Sequence, residues 1–182
     1  NANVYSNWFR NKIEGMWSND QTELHYINIG KSRLAGVETM CKIQINRHIN
    51  VHGAYNYLYT SKDADGVRLS SSSPHSGNIR AEYNTRIPRY ATVVNLSGNI
   101  MGKKKFDVLD ELEIDGKKVE AYYQAKVNPY CLWDLTVSQY IMQNLRITAG
   151  ITNLFDYTSD RVTFNTSTSP GRNYFIACNY TL

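Results

Sequence analysis

The sequence predicts an all-β fold whose antiparallel strands cross a membrane as a barrel. Three observations favour this class: a strand-forming composition, connections that alternate between short and long, and strands with one apolar and one polar face. The 182 residues include 14 Tyr but only 4 Pro and 11 Gly, and Tyr, Ile, Val and Thr favour strands. A chain of this length is sufficient for one domain with a sizeable core.

Eight strands are predicted from the alternation of polar and apolar side chains. They cover residues 2–17, 26–46, 49–60, 78–86, 89–101, 130–143, 144–155 and 172–182. The residues between the fifth and sixth strands, 102–129, are expected to form a long polar loop.

The connections predict a difference between the two ends of the sheet. Those that follow the second, fourth and sixth strands are tight, whereas those that follow the third, fifth and seventh strands are long and polar. A meander in which every second turn is short places all the short turns at one end. Short turns at one rim and long loops at the other are typical of an outer-membrane barrel, and a soluble β-sandwich usually lacks this asymmetry.

The two faces of the predicted strands favour the same arrangement. Because successive side chains point to opposite faces, the charges well inside the strands fall on one face, which is expected to line a lumen. The lumen-facing candidates are Glu38, Lys42, His52, Arg80, Glu82, Asp134 and Arg146. The opposite face is rich in Tyr, Ile and Val over about ten residues, the length of a tilted membrane-crossing strand. The residues predicted to face lipid include Tyr55, Ile79, Val94, Leu135, Ile147 and Ile176.

The residue pattern gives no support to several other classes. No arrangement of Ser, His and Asp, paired carboxylates or phosphate-binding loop indicates an enzyme. His48 and His52 are four residues apart, but no further ligand completes a tetrahedral metal set, so neither a metal nor a cofactor is expected. A net charge of +4 with scattered Lys and Arg does not indicate nucleic-acid binding. Cys41, Cys131 and Cys178 all take the apolar parity of their strands, and no disulfide is predicted among them.

Two segments near the end of the chain carry a family resemblance. "GITNLFDYTSD" followed by "PGRNYFIACNYTL" resembles the C-terminal end of TonB-dependent outer-membrane receptors, with "YINIGKSRLAGVE" similar to an earlier strand of that family. The matching motif residues are Asn153, Leu154, Phe155, Asp156, Gly171 and Arg172. Asn153 and Asp156 are expected to cap the end of the seventh strand through hydrogen bonds to nearby backbone.

The resemblance implies a place in a larger molecule. Residues 1–182 would form the last eight strands of a 22-stranded barrel, and the plug domain and TonB box would not be in this chain. The receptor would take up a scarce nutrient of the iron-siderophore, haem or cobalamin type across the outer membrane of a Gram-negative bacterium. The implied partners are outer-membrane lipid, lipopolysaccharide, the remaining strands, the plug, and TonB acting through the plug. A surface lipoprotein is a further candidate partner. His75, in the Ser-rich loop, is a candidate contact for an outer ligand.

Two other classes remain open at this point. A complete eight-stranded outer-membrane barrel with a structural or adhesin role can close around a filled interior. However, the predicted inward face, which includes Ser138, Thr148, Gly150 and Ala177, is small and polar. A soluble β-sandwich that acts as a binding module is the third possibility.

Overall fold

The computed structural model describes residues 1–17, 23–61, 73–114, 117–142, 144–159 and 170–181. Ten strands account for most of them, and among these described residues no helix is long and apolar enough to span a membrane. The strands are β1 (Ala2–Trp17), β2 (Leu24–Gln44), β3 (Ile49–Thr60), β4 (His75–Asn84), β5 (Thr92–Met101), β6 (Lys104–Ile114), β7 (Lys117–Val127), β8 (Tyr130–Ile141), β9 (Leu145–Thr152) and β10 (Asn173–Tyr180).

Eight of the strands form a single antiparallel meander. Its order is β1-β2-β3-β4-β5-β8-β9-β10, so each strand pairs with the next one except where β6 and β7 intervene. The strands β1 and β10 are the two edges of the described sheet. This arrangement confirms the all-β class and contradicts the β-sandwich alternative, because the eight strands form one sheet rather than two packed sheets.

The connection between β5 and β8 is a β-hairpin, and the prediction of a long polar loop there was wrong. β6 pairs with β7 along their whole length, from Lys104 with Val127 to Ile114 with Lys117. The two residues between the last pair are Asp-Gly, a dipeptide that favours tight hairpin turns. The described residues therefore form ten strands, of which eight belong to the main sheet, as predicted.

Side-chain amides explain why the connections at one end are so short. The Asn46 Oδ1 atom accepts hydrogen bonds from the backbone N–H groups of His48 and Ile49, over 2.8 and 2.9 Å. In the next short turn the Asn84 Oδ1 atom accepts one from the Arg86 N–H over 2.8 Å. These bonds replace ladder partners where the strands end, so the chain reverses within a few residues.

The register divides the sheet into two faces. We call the face that carries Lys42, His52 and Arg80 the polar face and the opposite one the apolar face. Paired residues point to the same side of a sheet, and Lys42 pairs with His52, which pairs with Arg80. On the apolar face, Cys41, Gly53 and Ile79 form the neighbouring row.

Large apolar side chains on the apolar face are exposed rather than packed in a core. Tyr55, Tyr83 and Ile176 are 46, 45 and 81% exposed, and Val127, in the hairpin, is the one fully buried hydrophobic residue among those described. A soluble domain of this size buries its apolar face against a second layer. Exposed apolar side chains over a whole sheet face are stable only where the surrounding medium is itself apolar.

The outer parts of β1 and β2 depart from the predicted segregation of charge. Arg10 pairs with Lys31 and Trp8 pairs with Arg33, all on the apolar face. These strands are 16 and 21 residues long, whereas a membrane crossing takes about 9–11 residues. The charges lie where the strands have already left the predicted apolar belt.

Candidate functional site

The seven lumen-facing candidates all lie on the polar face. One row of paired residues crosses five strands and runs Lys42, His52, Arg80, Ser97, Asp134. Glu38 and Glu82 occupy other rows of the same face, each paired with an asparagine, and Arg146 pairs with Tyr140 at the short-turn end. The structure therefore brings acids, bases and a histidine of five strands, β2, β3, β4, β8 and β9, onto one surface.

Arg80 is the most connected of these charges. Its Nη2 and Nε atoms donate hydrogen bonds to the Asn95 Oδ1 atom over 3.0 and 3.3 Å, and its Nη2 atom lies 4.0 Å from a Glu82 carboxylate oxygen. The Arg80 side chain is more than half exposed, so this ion pair adds little stability. The arrangement fixes the direction of the guanidinium on the polar face and leaves it accessible to a ligand or a partner surface.

A cavity of about 540 Å³ lies on the polar face and crosses the strands from β1 to β5. Amide side chains dominate the polar part of its lining. The sequence pattern pointed only to charged residues, so these uncharged asparagines were not predicted. The lining residues on this face include Asn3, Glu38, Met40, Asn56, Asn78 and Asn99. Their signal was present in the same two-residue parity that identified the charges. The Asn56 Oδ1 atom accepts no hydrogen bond from any described residue although it is buried.

His75 does not lie in the Ser-rich loop, and that part of the prediction was wrong. It is the first residue of β4 and pairs with Tyr57 on the apolar face. The Tyr55 hydroxyl and the His75 Nδ1 atom are hydrogen-bonded over 2.7 Å, and the ring centroids of Tyr57 and His75 are 5.2 Å apart. The structure assigns His75 to an aromatic cluster on the apolar face, the side opposite to the cavity.

The motif residue Asn153 joins the ends of two strands. It directly follows β9, is 4% exposed and has a positive φ of 51°, a conformation that Asn tolerates better than most residues. Its backbone N–H donates to the Asp134 Oδ1 atom in β8 over 2.9 Å, and the Leu154 N–H donates to the Trp133 carbonyl oxygen over 2.6 Å. Asp134, one of the lumen-facing candidates, is thus also a structural acceptor at this strand exit.

The second part of the motif closes the base of the last loop. The Arg172 N–H donates to the Asp156 Oδ1 atom over 2.8 Å, just before β10 begins. Asp156 and Gly171 have positive φ values of 57° and 83°, and a Cβ atom on Gly171 would lie 3.3 Å from the same Asp156 oxygen. The predicted cap at Asn153 is confirmed, because its side-chain amide bonds the Tyr157 backbone. Asp156 instead bonds the residue that precedes β10 and not the end of β9, while Phe155 is 68% exposed.

The described residues provide no evident catalytic or metal-binding cluster. Among them, no group of three His, Cys, Asp or Glu side chains could hold a metal ion. Outside the sheet, burial at the base of the β6–β7 hairpin lowers the pKa of the Lys104 ammonium from its usual value. This lysine also makes contacts of its own.

The fold and the two faces define a class of protein. An antiparallel meander with short turns at one end, an exposed apolar face and a polar, charged face forms the wall of a transmembrane β-barrel. The chain matches the family model described as TonB dependent receptor-like, beta-barrel, over residues 1–154. It belongs to this family, whose members are β-barrel proteins of the Gram-negative outer membrane, and that is its location.

Solved structures of receptors share the fold over almost the whole chain. The ferric enterobactin receptor PfeA of Pseudomonas aeruginosa is 17% identical with a TM-score of 0.68, and the match covers 98% of this chain and 28% of that one. The siderophore receptor PirA of Acinetobacter baumannii is 17% identical, with a TM-score of 0.67 and coverages of 98 and 29%. For the ferripyoverdine receptor of P. aeruginosa the corresponding values are 18%, 0.66, 98% and 25%. The chain therefore spans about a quarter of the length of these relatives.

Proposed function

We propose that residues 1–182 are the C-terminal part of the barrel of a TonB-dependent receptor that takes up a ferric siderophore. The observation that carries this proposal is the two-faced meander, whose polar face bears charged side chains and a cavity while its apolar face is exposed. The proposal places the plug domain, the TonB box and the other strands of a 22-stranded barrel in other parts of the receptor. No enzymatic activity forms part of it.

The siderophore class is favoured over the other nutrients that the family resemblance implied. The three solved structures described above are of a ferric enterobactin receptor, a siderophore receptor and a ferripyoverdine receptor. Haem and cobalamin uptake have no such support among them. No observation on the described residues favours a surface lipoprotein, so that partner is not included in the proposal.

The polar face has two roles in this proposal. Its charged row, with Lys42, Arg80 and Asp134, lines the lumen and contacts the plug or the passing ferric complex. The cavity beside Asn56 and Asn78 offers neutral amide donors and acceptors to the same partners. Hydrogen-bonding groups of both kinds suit a surface from which a partner must be released when TonB pulls on the plug.

The edges of the sheet favour a wide barrel over the small eight-stranded one. β1 and β10 are not paired with each other in the described sheet, and backbone groups left unpaired in lipid are costly. In the proposed receptor β10 pairs with the first strand of the barrel and β1 with the strand that precedes it. A small eight-stranded barrel with a structural or adhesin role would require β1 and β10 to pair with each other.

Uptake of radiolabelled iron tests the proposal. The complete receptor is expressed in a strain lacking its own siderophore receptors, and ⁵⁵Fe-siderophore uptake is measured with and without TonB. We expect TonB-dependent uptake of at least one siderophore, and reduced uptake by a Lys42→Gln/Arg80→Gln variant that still folds. Growth supported only by haem or by cobalamin would contradict the siderophore assignment, and TonB-independent uptake would contradict the mechanism.

A further inference from the structure

The turn that joins β4 to β5 projects beyond the end of the sheet at the short-turn rim. The last pair of residues between these strands is Asn84 with Val93, and we call residues 85–91, which lie outside that pair, the arginine turn. Arg86 and Arg89 are both exposed and have positive φ values of 53° and 68°. Residues other than glycine rarely adopt this conformation, so the backbone of the arginine turn follows a specific path.

Hydrogen bonds from β8 hold one end of the arginine turn in place. The Gln139 Nε2 atom donates to the Tyr90 carbonyl oxygen over 3.1 Å, while the Gln139 Oε1 atom accepts a hydrogen bond from the Thr92 hydroxyl over 2.6 Å. The Tyr140 N–H donates to the Ala91 carbonyl oxygen over 2.9 Å. Because the backbone is already fixed, a partner that binds the turn loses little affinity to its ordering.

A groove of about 360 Å³ lies between the arginine turn and the end of β8. Its lining includes Arg86, Ile87, Pro88, Arg89, Tyr140 and Met142. Tyr140 pairs with Arg146 on the polar face, and Asn84, which also contributes to the lining, has the parity of Arg80 on the same face. The groove therefore lies on the lumen side of the rim and not on the side that meets lipid.

The sequence around this groove is rich in arginine. Residues 82–92 and 139–147 contain three arginines and one carboxylate, which are Arg86, Arg89, Arg146 and Glu82. The Glu82 carboxylate lies 4.0 Å from a further arginine, Arg80, on the polar face, so it does not neutralise the other three. The rim at this point has a net positive charge.

The two arginines of the turn are accessible to a partner. Neither side chain forms a hydrogen bond or an ion pair with a described residue. Apolar side chains lie between and beside them, with Ile87 and Tyr90 53 and 54% exposed. Guanidinium groups bind carboxylates through paired hydrogen bonds, and exposed apolar side chains favour an apolar counterpart. This combination suits an acidic peptide segment that also carries apolar side chains.

We propose that the arginine turn and its groove dock an acidic segment of a soluble periplasmic protein. Carboxylates of the segment bind Arg86 and Arg89, and one of its apolar side chains contacts Ile87 and Met142. The inference rests on the orientation given under the proposed function, in which the short turns lie on the periplasmic side, and it adds a partner there. Membrane lipid meets the opposite face of the sheet, and the plug lies inside the strands rather than beyond their last pair.

Fluorescence anisotropy with the complete receptor in phosphatidylcholine nanodiscs tests this docking. The probe is the fluorescein-labelled peptide Glu-Asp-Leu-Glu-Asp-Phe, and its neutral counterpart is Gln-Asn-Leu-Gln-Asn-Phe. We expect the acidic peptide to bind more tightly. Each exposed ion pair contributes up to about a fivefold factor in affinity, so Arg86→Gln/Arg89→Gln should weaken this binding roughly tenfold. Ile87→Ser should weaken it without changing the charge.

The matched control removes the same charge at the outer end of the sheet. Arg10→Gln/Lys31→Gln replaces two exposed cations that pair across β1 and β2, and binding of the acidic peptide should stay within about twofold of wild type. Arg86→Lys/Arg89→Lys, which keeps the charge, should lose less affinity than the glutamine variant. Equal loss in the outer control, equal binding of the two peptides, or no effect of the glutamine variant would each overturn the proposal.

Photo-crosslinking in living cells identifies what occupies the groove. A benzophenone amino acid replaces Ile87 in the complete receptor, and the crosslinked product is identified by mass spectrometry. We expect a soluble periplasmic protein joined through an acidic segment, whereas a product with phospholipid, with the receptor's own plug or with TonB would overturn the proposal. ⁵⁵Fe-siderophore uptake by the same proteins separates the two proposals, because failed peptide binding with normal TonB-dependent uptake overturns only this one.

Discussion

The side chain of Asn153 pairs with the backbone of Tyr157 through two hydrogen bonds. The Asn153 Nδ2 atom donates to the Tyr157 carbonyl oxygen over 2.7 Å, and the Tyr157 N–H donates to the Asn153 Oδ1 atom over 2.8 Å. The amide thus takes the place of a strand partner at the point where β9 ends. A carboxamide of this length is the group that offers one donor and one acceptor in this geometry.

Replacing Asn153 with Ala is expected to destabilise the barrel wall. The change removes two buried hydrogen bonds and leaves Ala at a positive φ, so unfolding should become easier by about 2 kcal/mol. Urea unfolding of the complete receptor in lipid vesicles, followed by tryptophan fluorescence, measures this loss. Asn179→Ala, at an exposed position of β10, is the control, and an equal effect of both changes would contradict the role given to the amide pair.

Charge on the apolar face is expected to be costly near the middle of the membrane. Ile79 lies four residues from both His75 and Tyr83 along β4, so Ile79→Arg places a charge near the bilayer centre and should cost about 2–4 kcal/mol. Asn78→Arg, one residue away on the polar face, should cost much less. The fraction of heat-modifiable folded receptor in outer membranes measures the effect of each substitution. A larger loss of folded receptor for Asn78→Arg than for Ile79→Arg would reverse the assignment of the two faces.

Two glycines in neighbouring strands are expected to respond differently to alanine. A Cβ atom on Gly36 would lie 2.6 Å from the Tyr57 carbonyl oxygen, whereas a Cβ atom on Gly53 would lie 4.0 Å from the Asn78 carbonyl oxygen. Gly36→Ala therefore forces the backbone apart and should destabilise by about 1–3 kcal/mol, while Gly53→Ala should be neutral or slightly stabilising. The unfolding midpoints of the two variants are compared. Equal midpoints would show that the backbone of β2 accommodates the added methyl group without loss of stability.

The three cysteines are expected to stay unpaired under oxidising conditions. Cys41 in β2 and Cys131 in β8 are separated by three strands, a distance of about 19 Å at 4.8 Å per strand. Cys178 aligns through Ile147 with Gln139, eight residues from Cys131 along β8, or about 27 Å. Disulfides need Cα atoms within about 7 Å. Mass mapping of non-reduced peptides checks this, and any intramolecular cross-link among the three would refute the register.

Residues 1–182 are not expected to form a stable barrel by themselves. Both edges of the sheet, at Ala2 and at Tyr180, would expose unpaired backbone groups to lipid. The segment is expressed behind a secretion signal and outer membranes are examined for a heat-modifiable monomer. We expect none, with the complete receptor as the positive control. A folded monomer would favour the small-barrel alternative.

Period-two patterning was sufficient to predict most of the sheet because the two faces meet opposite media. Lys42 and Cys41 are neighbours in sequence but lie on opposite faces of the sheet. The same alternation of polar and apolar side chains is repeated in the strands that pair with β2. The strand bounds were less certain: β4 begins at His75 rather than at residue 78, since the register with Tyr57 extends the strand beyond its alternating part. This shift also explains why His75 was misplaced in a loop.

The hairpin and the polar cavity were missed for different physical reasons. β6 and β7 carry many Lys, Asp and Glu residues, and charge at that density resembles a solvated loop unless the Asp-Gly turn signal is considered. The asparagines of the cavity, such as Asn78 and Asn99, are neutral and common in this chain. The register between neighbouring strands brings them together, as in the pair of Asn78 with Asn99, and the alternation within one strand does not specify that register.

The hydrogen bond between Asp156 and Arg172 has a consequence for how such a protein diversifies. It joins two residues that are sixteen positions apart and closes the base of the segment between them. Insertions, deletions or substitutions inside that segment leave the closing contact and the wall beneath it unchanged. The length and composition of that segment can therefore change while the contact at its base still holds the end of β9 beside the start of β10.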